Sequence, residues 1–308
     1  MNIMVTGGLG FIGSHLCDRL VRDGHEVVCY DNQSAGFIRN IAPLECFNNF
    51  HIAIGDTRDY DRLLSALQKY NIQFIFNQAA SKKNVCLRDP REDCDVNAKG
   101  VLNLLMAAKE HGVHKIIHAS TGSVYGELQI SPQTEGHPVK PCSYYGVSKL
   151  AGERYVDMFD IDSVILRYFH VYGSKQNTNQ DLGGVVAIWA HKLWRDEPII
   201  IHGDGLQERS FTFVGDVVEA NIRAMDGHYT LGGVYNCASG IKINLLDLLT
   251  MMEQKIGVSA KIIREKTLVG DIMKFDISNE KIKNAYGLKF KSLEDGLDET
   301  LGYYKPNN

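Results

Sequence analysis

Long apolar runs are missing from this sequence. Stretches such as LGGVVAIWA at 182–190 fall far short of the ~20 residues a membrane helix needs, which excludes a helical membrane span. A strong charge of either sign is missing too. With 33 basic and 37 acidic residues the formal net charge is −4, and the basic stripe of a general nucleic-acid binder is not there. None of the seven cysteines forms a CxxC pair, so they read as reduced thiols in a cytoplasmic protein. No basic and apolar leader precedes MNIMVTGG, and no secretory signal is expected. His111, His114 and His118 straddle a helix end and a strand, and no metal site is expected from them. Repeats, low-complexity linkers and long charge runs are also absent, so any two lobes should share an interface and a ligand cleft.

What is present is rhythm. In 308 residues, 44% of them hydrophobic, short β-rich runs occur at 2–6, 26–30, 50–54, 73–77, 114–119 and 163–168. Helical patterns fill 11–23, 58–70, 93–111 and 144–159 between them. Apolar strands alternating with helices predict a Rossmann-type α/β fold, a doubly wound parallel sheet. After residue 170 the rhythm breaks. Helices near 183–196, 216–226, 244–256 and 292–304 mix with strands near 198–202, 210–214, 233–237 and 260–264, predicting a smaller α+β lobe. The expected division is a dinucleotide-binding domain over 1–169 and a substrate lobe over 170–308, with a return of about 211–236 to the first as an alternative.

Residues 6–13 read TGGLGFIG, directly after the first strand. Gly7, Gly10 and Gly13 allow a tight turn, approach of a pyrophosphate to the backbone, and close helix–strand packing, and the helix N-terminus faces the anion. Asp31 ends the second strand, where a carboxylate holds ribose hydroxyls. Asp56, in GDTRD, is placed to accept from an adenine amino group. The charge of Asp31 repels a 2′-phosphate, so the expected cofactor is NAD.

Residues 143–149 read SYYGVSK. Tyr145 and Lys149, four apart, share one helix face. A free tyrosine titrates near ~10 and is a poor base. A neighbouring ammonium is expected to favour its phenolate. Thr121, ending the fifth strand, offers a hydroxyl to the substrate oxygen whose proton Tyr145 removes.

With these residues in place the chain resembles the extended short-chain dehydrogenase/reductases, in their NAD-dependent nucleotide-sugar epimerase/dehydratase family (UDP-glucose 4-epimerase-like). TGGLGFIG, DNQSAG, GDTRD, NQAA, STGSVYG, YYGVSK, LRYFHVYG, GDGLQERSF, VYNCASG and GDIMKFDIS occur in the family's order. The resemblance implies a hydride shuttle at a sugar carbon, with Lys149 also on the nicotinamide ribose and Lys82 near the cofactor. It adds Phe11, Ile12, Asn32, Ser34, Gly36, Thr57, Gln78, Ala79, Ala80, Asn97, Ser120, Tyr168, His170 and Val171 as cofactor contacts. On the substrate side it implies Lys83, Ser123, His170, Gln207, Arg209 and Asp271, with Val185, Ile200 and His202 where the family packs the nucleotide base.

Gly122 and Ser123 narrow the reaction. Family dehydratases carry Asp-Glu at these two positions, and decarboxylases a Glu at the second. Neither Gly nor Ser does acid–base work at pH 7. Oxidation and re-reduction at C4 remain, which makes a nucleotide-sugar 4-epimerase on a UDP-hexose the leading expectation. A 4-ketosugar reductase or 4-dehydrogenase with exchanging cofactor is an alternative, as is an idle NAD-binding scaffold. The intact Thr121, Tyr145 and Lys149 argue against the scaffold. Arg39, eight residues past Asp31, is the only basic candidate for an NADP site.

The substrate lobe departs from the family. His170 replaces the usual Asn, Ser210 the usual Asp, and Leu268 a second Arg, for which Arg264 or Lys266 could compensate. In the family, the helices equivalent to 93–111 and 144–159 pair as a four-helix bundle in a homodimer. Val101, Leu104, Leu105, Ala108, Val156 and Phe159 supply candidate apolar stripes for it.

Overall fold

The computed structural model describes residues 1–81, 83–180, 182–226, 232–267 and 272–306. Its first half runs β1 (Asn2–Thr6), α1 (Phe11–Arg22), β2 (Glu26–Asp31), β3 (Phe50–Ile54), α2 (Tyr60–Lys69), β4 (Phe74–Asn77), α3 (Lys83–Arg88), α4 (Pro90–Cys94), α5 (Gly100–His111), β5 (Lys115–Thr121), α6 (Tyr144–Met158) and β6 (Asp162–Tyr168). The second half runs β7 (Val171–Tyr172), α7 (Val185–Leu193), β8 (Ile199–His202), β9 (Glu208–Arg209), β10 (Thr212–Phe213), α8 (Val214–Met225), β11 (Gly233–Cys237), β12 (Ile243–Asn244), α9 (Leu245–Ile256), β13 (Ile262–Glu265), α10 (Glu280–Tyr286) and α11 (Leu293–Tyr304).

The central sheet has the order β11-β6-β5-β4-β1-β2-β3, and all its pairings are parallel. β5 is buried along its whole length, as a strand covered by helices on both faces must be. The strand order reverses beside β1, where β4 lies on one side and β2 on the other, and this is where such sheets bind ligands. One core lies between the sheet and α1, α8 and α10, through Leu16, Leu20, Val217 and Ile282. Another lies under α2, α5 and α6. A third joins α7, α9 and α11 through Trp189, Leu248 and Leu297.

The structure refines several expectations. The helix foreseen over 93–111 is three pieces: α4, capped by Asp89 with Pro90 in its first turn, a π-turn over Asp95–Lys99, and α5. The single strand foreseen near 210–214 is split into β9 and β10 around Ser210 and Phe211. β11 pairs with β6, so 233–237 belongs to the main sheet. The seven-residue α10 was not foreseen. Only Ile282 and Tyr286 of it are buried, too short a pattern to declare a helix. The stripe Val101, Leu104, Leu105, Ala108 and Val156 is consumed within the protomer against the sheet, so it cannot form a dimer face. Phe159 packs at the margin of the same core. No helix among the described residues is long and apolar enough to cross a membrane.

Candidate active site

The glycine turn is built by close approach. Gly7 has φ +66°, and a Cβ there would lie 2.9 Å from Ala79 N. A Cβ on Gly13 would lie 2.2 Å from Gly7 O, so only glycine lets α1 rise directly off β1. Gly10 caps α1 without a side-chain bond, and no acidic residue stands in its first turn, which holds Phe11 and Ile12. That leaves a helix N-terminus suited to an anion. A Cβ on Gly36 would lie 2.6 Å from Leu9 C, so Gly36 closes the turn from the side.

Asp31 is fixed in place. Its carboxylate accepts from Leu9 N at 3.1 Å and Gln33 N at 2.7 Å. Burial raises its pKa, and these two N–H bonds oppose the rise. Asn32 accepts from Ser34 N at 3.0 Å and donates to Asp56 at 2.7 Å. Arg58 also grips Asp56 through Nε, Nη2 and N, which holds that carboxyl at about 2. Each Asp56 oxygen thus already receives two donors, and an adenine amino group would have to share them. Thr57 is buried against Gly100.

Several residues expected at the cofactor are held by bonds within the protein. Gln78 donates to Asn221 at 3.2 Å and accepts from the Tyr168 hydroxyl at 3.2 Å. Ala79 N donates to Thr6 Oγ1 at 3.2 Å. Asn97 accepts from Ser81 N at 2.9 Å and donates to Asp93 at 3.0 Å and to Ser148 at 3.1 Å. Ser120 donates to Glu153 at 2.5 Å. Ala80 is exposed and Val171 half-buried. Lys82 lies outside the described residues, as does the side chain of Lys83.

At the end of β5, Thr121 accepts from Ser123 N at 3.2 Å and donates to Ser123 Oγ at 3.3 Å. Ser143 caps α6 by accepting from Gly146 N at 3.1 Å. Lys149, 2% exposed, donates to Ala119 O at 2.6 Å. Burial pulls its ammonium down to about 8, against the raising effect of Glu153 and Asp93. Burial pushes the Tyr145 phenol up to about 12; a hydrogen bond with Thr121 pulls it the other way, and the charge of Asp93 adds to the rise. This corrects one expectation. Tyr145 is harder to ionise than a free tyrosine, because desolvation outweighs the Thr121 hydrogen bond.

A cavity of about 260 Å³ opens beside this set. Thr121, Ser123, His170 and Arg209 supply its polar wall; Phe169, Ile272 and Phe275 supply its apolar wall. Phe169 also explains Gly122, where a Cβ would lie 2.2 Å from the Phe169 ring. His170 has φ +34° and packs edge-on to Phe275 at 4.9 Å. Arg209 donates to Glu208 O at 2.7 Å and to Ile272 O at 2.8 Å, which aims the guanidinium along the cavity rim. Val185, Ile200, His202 and Gln207 stand outside this cavity. Gln207 donates to His202 O at 2.8 Å. Arg264 donates to Gly203 O and Asp204 O at 3.3 and 3.0 Å. Leu268 and Asp271 lie outside the described residues. His118 is buried, its Nδ1 3.0 Å from Asn77 Nδ2, and burial holds its pKa well below the usual value. Among the described residues no three His, Cys, Asp or Glu side chains gather to hold a metal ion.

Sequence reasoning passed over Asp93, Glu153, Arg167 and Phe169. Glu153 carried a signal, since it lies one helical turn beyond Lys149. Asp93 carried none, because its partner Ser148 is 55 residues away.

Residues 3–238 match the model of the NAD dependent epimerase/dehydratase family. The chain belongs to this family. It is 34% identical over 316 residues to a putative UDP-glucose 4-epimerase of Methanocaldococcus jannaschii, covering 99% of both chains. Among solved structures it resembles the UDP-glucose 4-epimerase of Thermotoga maritima with UDP-glucose. The TM-score is 0.92 at 32% identity, over 99% of this chain and 98% of that one. It equally resembles the UDP-glucuronic acid 4-epimerase of Bacillus cereus in complex with UDP-glucuronic acid and NAD. There the TM-score is 0.91 at 32% identity, over 99% of both. The glycine cradle, the bare α1 N-terminus and Asp31 fit the NAD of this family.

Proposed function

We propose that the chain is an NAD-dependent 4-epimerase of a UDP-linked hexose. The observation that carries this reading is a complete Thr121–Tyr145–Lys149 set beside a cavity whose Gly122–Ser123 wall has no acid or base. The space a dehydratase-type acid would need at position 122 is filled by Phe169.

When bound, NAD supplies reversible hydride acceptance and, oxidised, a positive ring charge. The chain's part is to move a proton and hold a sugar. Thr121 hydrogen-bonds the C4 oxygen. Tyr145, as phenolate, takes the C4 hydroxyl proton as the carbonyl forms and returns it when the carbonyl is reduced. Lys149 and the positive charge of the occupied site offset the desolvation that raises the phenol. Arg209, with His170 beside it, binds the diphosphate, and the aromatic wall lets a 4-keto sugar turn over before reduction. Val185, Ile200, His202 and Gln207 hold the nucleotide end.

We also place the protein in the cytoplasm, consistent with the absence of disulfides among the described residues. It acts as a homodimer through a four-helix bundle of α5 and α6. Support for the bundle comes from Met106, Tyr144, Val147 and Met158, exposed apolar residues on those helices.

The test is proton NMR of the purified protein with UDP-glucose, UDP-N-acetylglucosamine or UDP-glucuronate and no added cofactor. The expected result is the anomeric signal of one C4 epimer. Turnover that appears only with added NAD or NADH would replace the reading with a dehydrogenase or reductase.

A further inference from the structure

Lys149 is an ammonium sealed from water, and a buried charge needs an opposite one. Among the described residues the charged and titratable groups around it are Glu153 and Tyr145 on α6, Asp93 on α4, and His118 on β5. His118 is neutral. Tyr145 is a neutral phenol. Glu153 is already matched by Arg167, which donates through Nε at 2.8 Å and Nη2 at 2.6 Å, while Ser120 donates to the same carboxylate. That leaves Asp93. It is fully buried, and its bonded partners are neutral: Ser148 Oγ donates at 2.6 Å and Asn97 Nδ2 at 3.0 Å. Two buried cations, Lys149 and Arg167, thus stand beside two buried carboxylates, Asp93 and Glu153, and among the described residues Asp93 is the one without a cation in contact. Its link to Ser148 also ties α4 to the residue directly before Lys149.

We propose that Asp93 is a positioning residue for the C4 chemistry: it is the counter-charge of Lys149 and fixes the Tyr145–Lys149 turn of α6 through Ser148. This rests on the epimerase reading for its effect on rate, but not for its effect on stability. With Glu153, the charge of Asp93 keeps Lys149 protonated to a higher pH, and Lys149 in turn opposes the rise that burial imposes on the Asp93 carboxyl.

Asp93→Asn separates charge from tether. An asparagine there can still accept from Asn97 and donate to Ser148, whose hydroxyl can turn to Tyr145 O, 3.0 Å away. The pH profile of kcat is measured by the NMR assay for wild type, Asp93→Asn and Ser148→Ala. Asp93→Asn is expected to move the alkaline limb about one pH unit lower. Ser148→Ala keeps the charge and leaves the limb in place. An unmoved limb in Asp93→Asn, at whatever rate, overturns the proposal. Thermal melts supply a readout independent of activity and of whether Asp93→Asn folds alone. Lys149→Met strands the Asp93 charge, so adding Asp93→Asn should raise the melting temperature above that of Lys149→Met. A double variant that melts lower than Lys149→Met refutes the counter-charge. If no sugar is turned over by wild type, the epimerase reading fails while the melts still decide this one.

Discussion

The two walls of the cavity are built differently. On the β5–α6 side, polar groups answer one another: Thr121 with Ser123, Ser120 with Glu153 and Arg167, Ser148 with Asp93, Lys149 with Ala119. On the opposite side Arg209 is held by main-chain oxygens, and His170 is set by aromatic edges of Phe275 and Phe211. The first wall is a connected hydrogen-bond network, which fixes geometry and tolerates little change. The second is a packed surface, in which aromatic and aliphatic side chains surround Arg209 and His170. Reaction type should therefore live on the first wall and substrate choice on the second. The departures from the family pattern at His170 and Ser210 fall on or beside the second.

The sharpest way to break this comparison is Tyr145→Phe. It should cost at least ~100-fold in kcat, the low end for one acid–base group, with bound NAD retained on denaturing release. Near-normal turnover would show that the first wall does not carry the proton. Arg209→Ala should instead act on binding. Loss of a charged hydrogen-bonding partner predicts a KM rise of about tenfold or more with kcat nearly kept. A fall in kcat with KM unchanged would move the diphosphate elsewhere and erase the distinction between the walls.

How much of this was legible differs between the same two regions. The strand–helix alternation of 1–169, the glycine turn and the Tyr145–Lys149 spacing are local patterns, read within a few residues. The expected Lys149 effect on Tyr145 was not legible, because pKa depends on how deeply the pair is buried and burial is a tertiary property. Nor were Asp93 and Phe169, whose partners Ser148 and Gly122 lie far along the chain. The stripe Val101, Leu104, Leu105 and Ala108 was correctly apolar, but periodicity does not say whether a face meets a sheet or another subunit. α10 and the split of β9 from β10 fall below the length at which periodicity speaks.

Gly122→Ala tests where the walls touch. The added Cβ meets the Phe169 ring, so overpacking of about 1–3 kcal/mol is expected as a lowered denaturation midpoint. Phe169→Leu in the same chain should recover part of it. An unchanged midpoint in Gly122→Ala would mean that Phe169 yields freely, and position 122 would then be open to an acid.

The smallest effect concerns the cost of the first wall. Lys149 has its ammonium at about 8 when folded, against an ordinary 10.5. Between those values the unfolded chain binds a proton that the folded chain has released, so stability rises with pH across that window. The raised tyrosines, Tyr145 among them, keep their protons when folded and act in the opposite sense, but only above pH ~10 where free tyrosine ionises. The buried thiols of Cys29 and Cys237, also raised, oppose it between pH 8 and ~10, where free thiols ionise, but they do so equally in wild type and in Lys149→Met. Denaturant midpoints of wild type should climb there relative to those of Lys149→Met, whose curve lacks this contribution. Parallel curves would mean that Lys149 is not desolvated in the folded protein, and that the first wall is as open to water as the second.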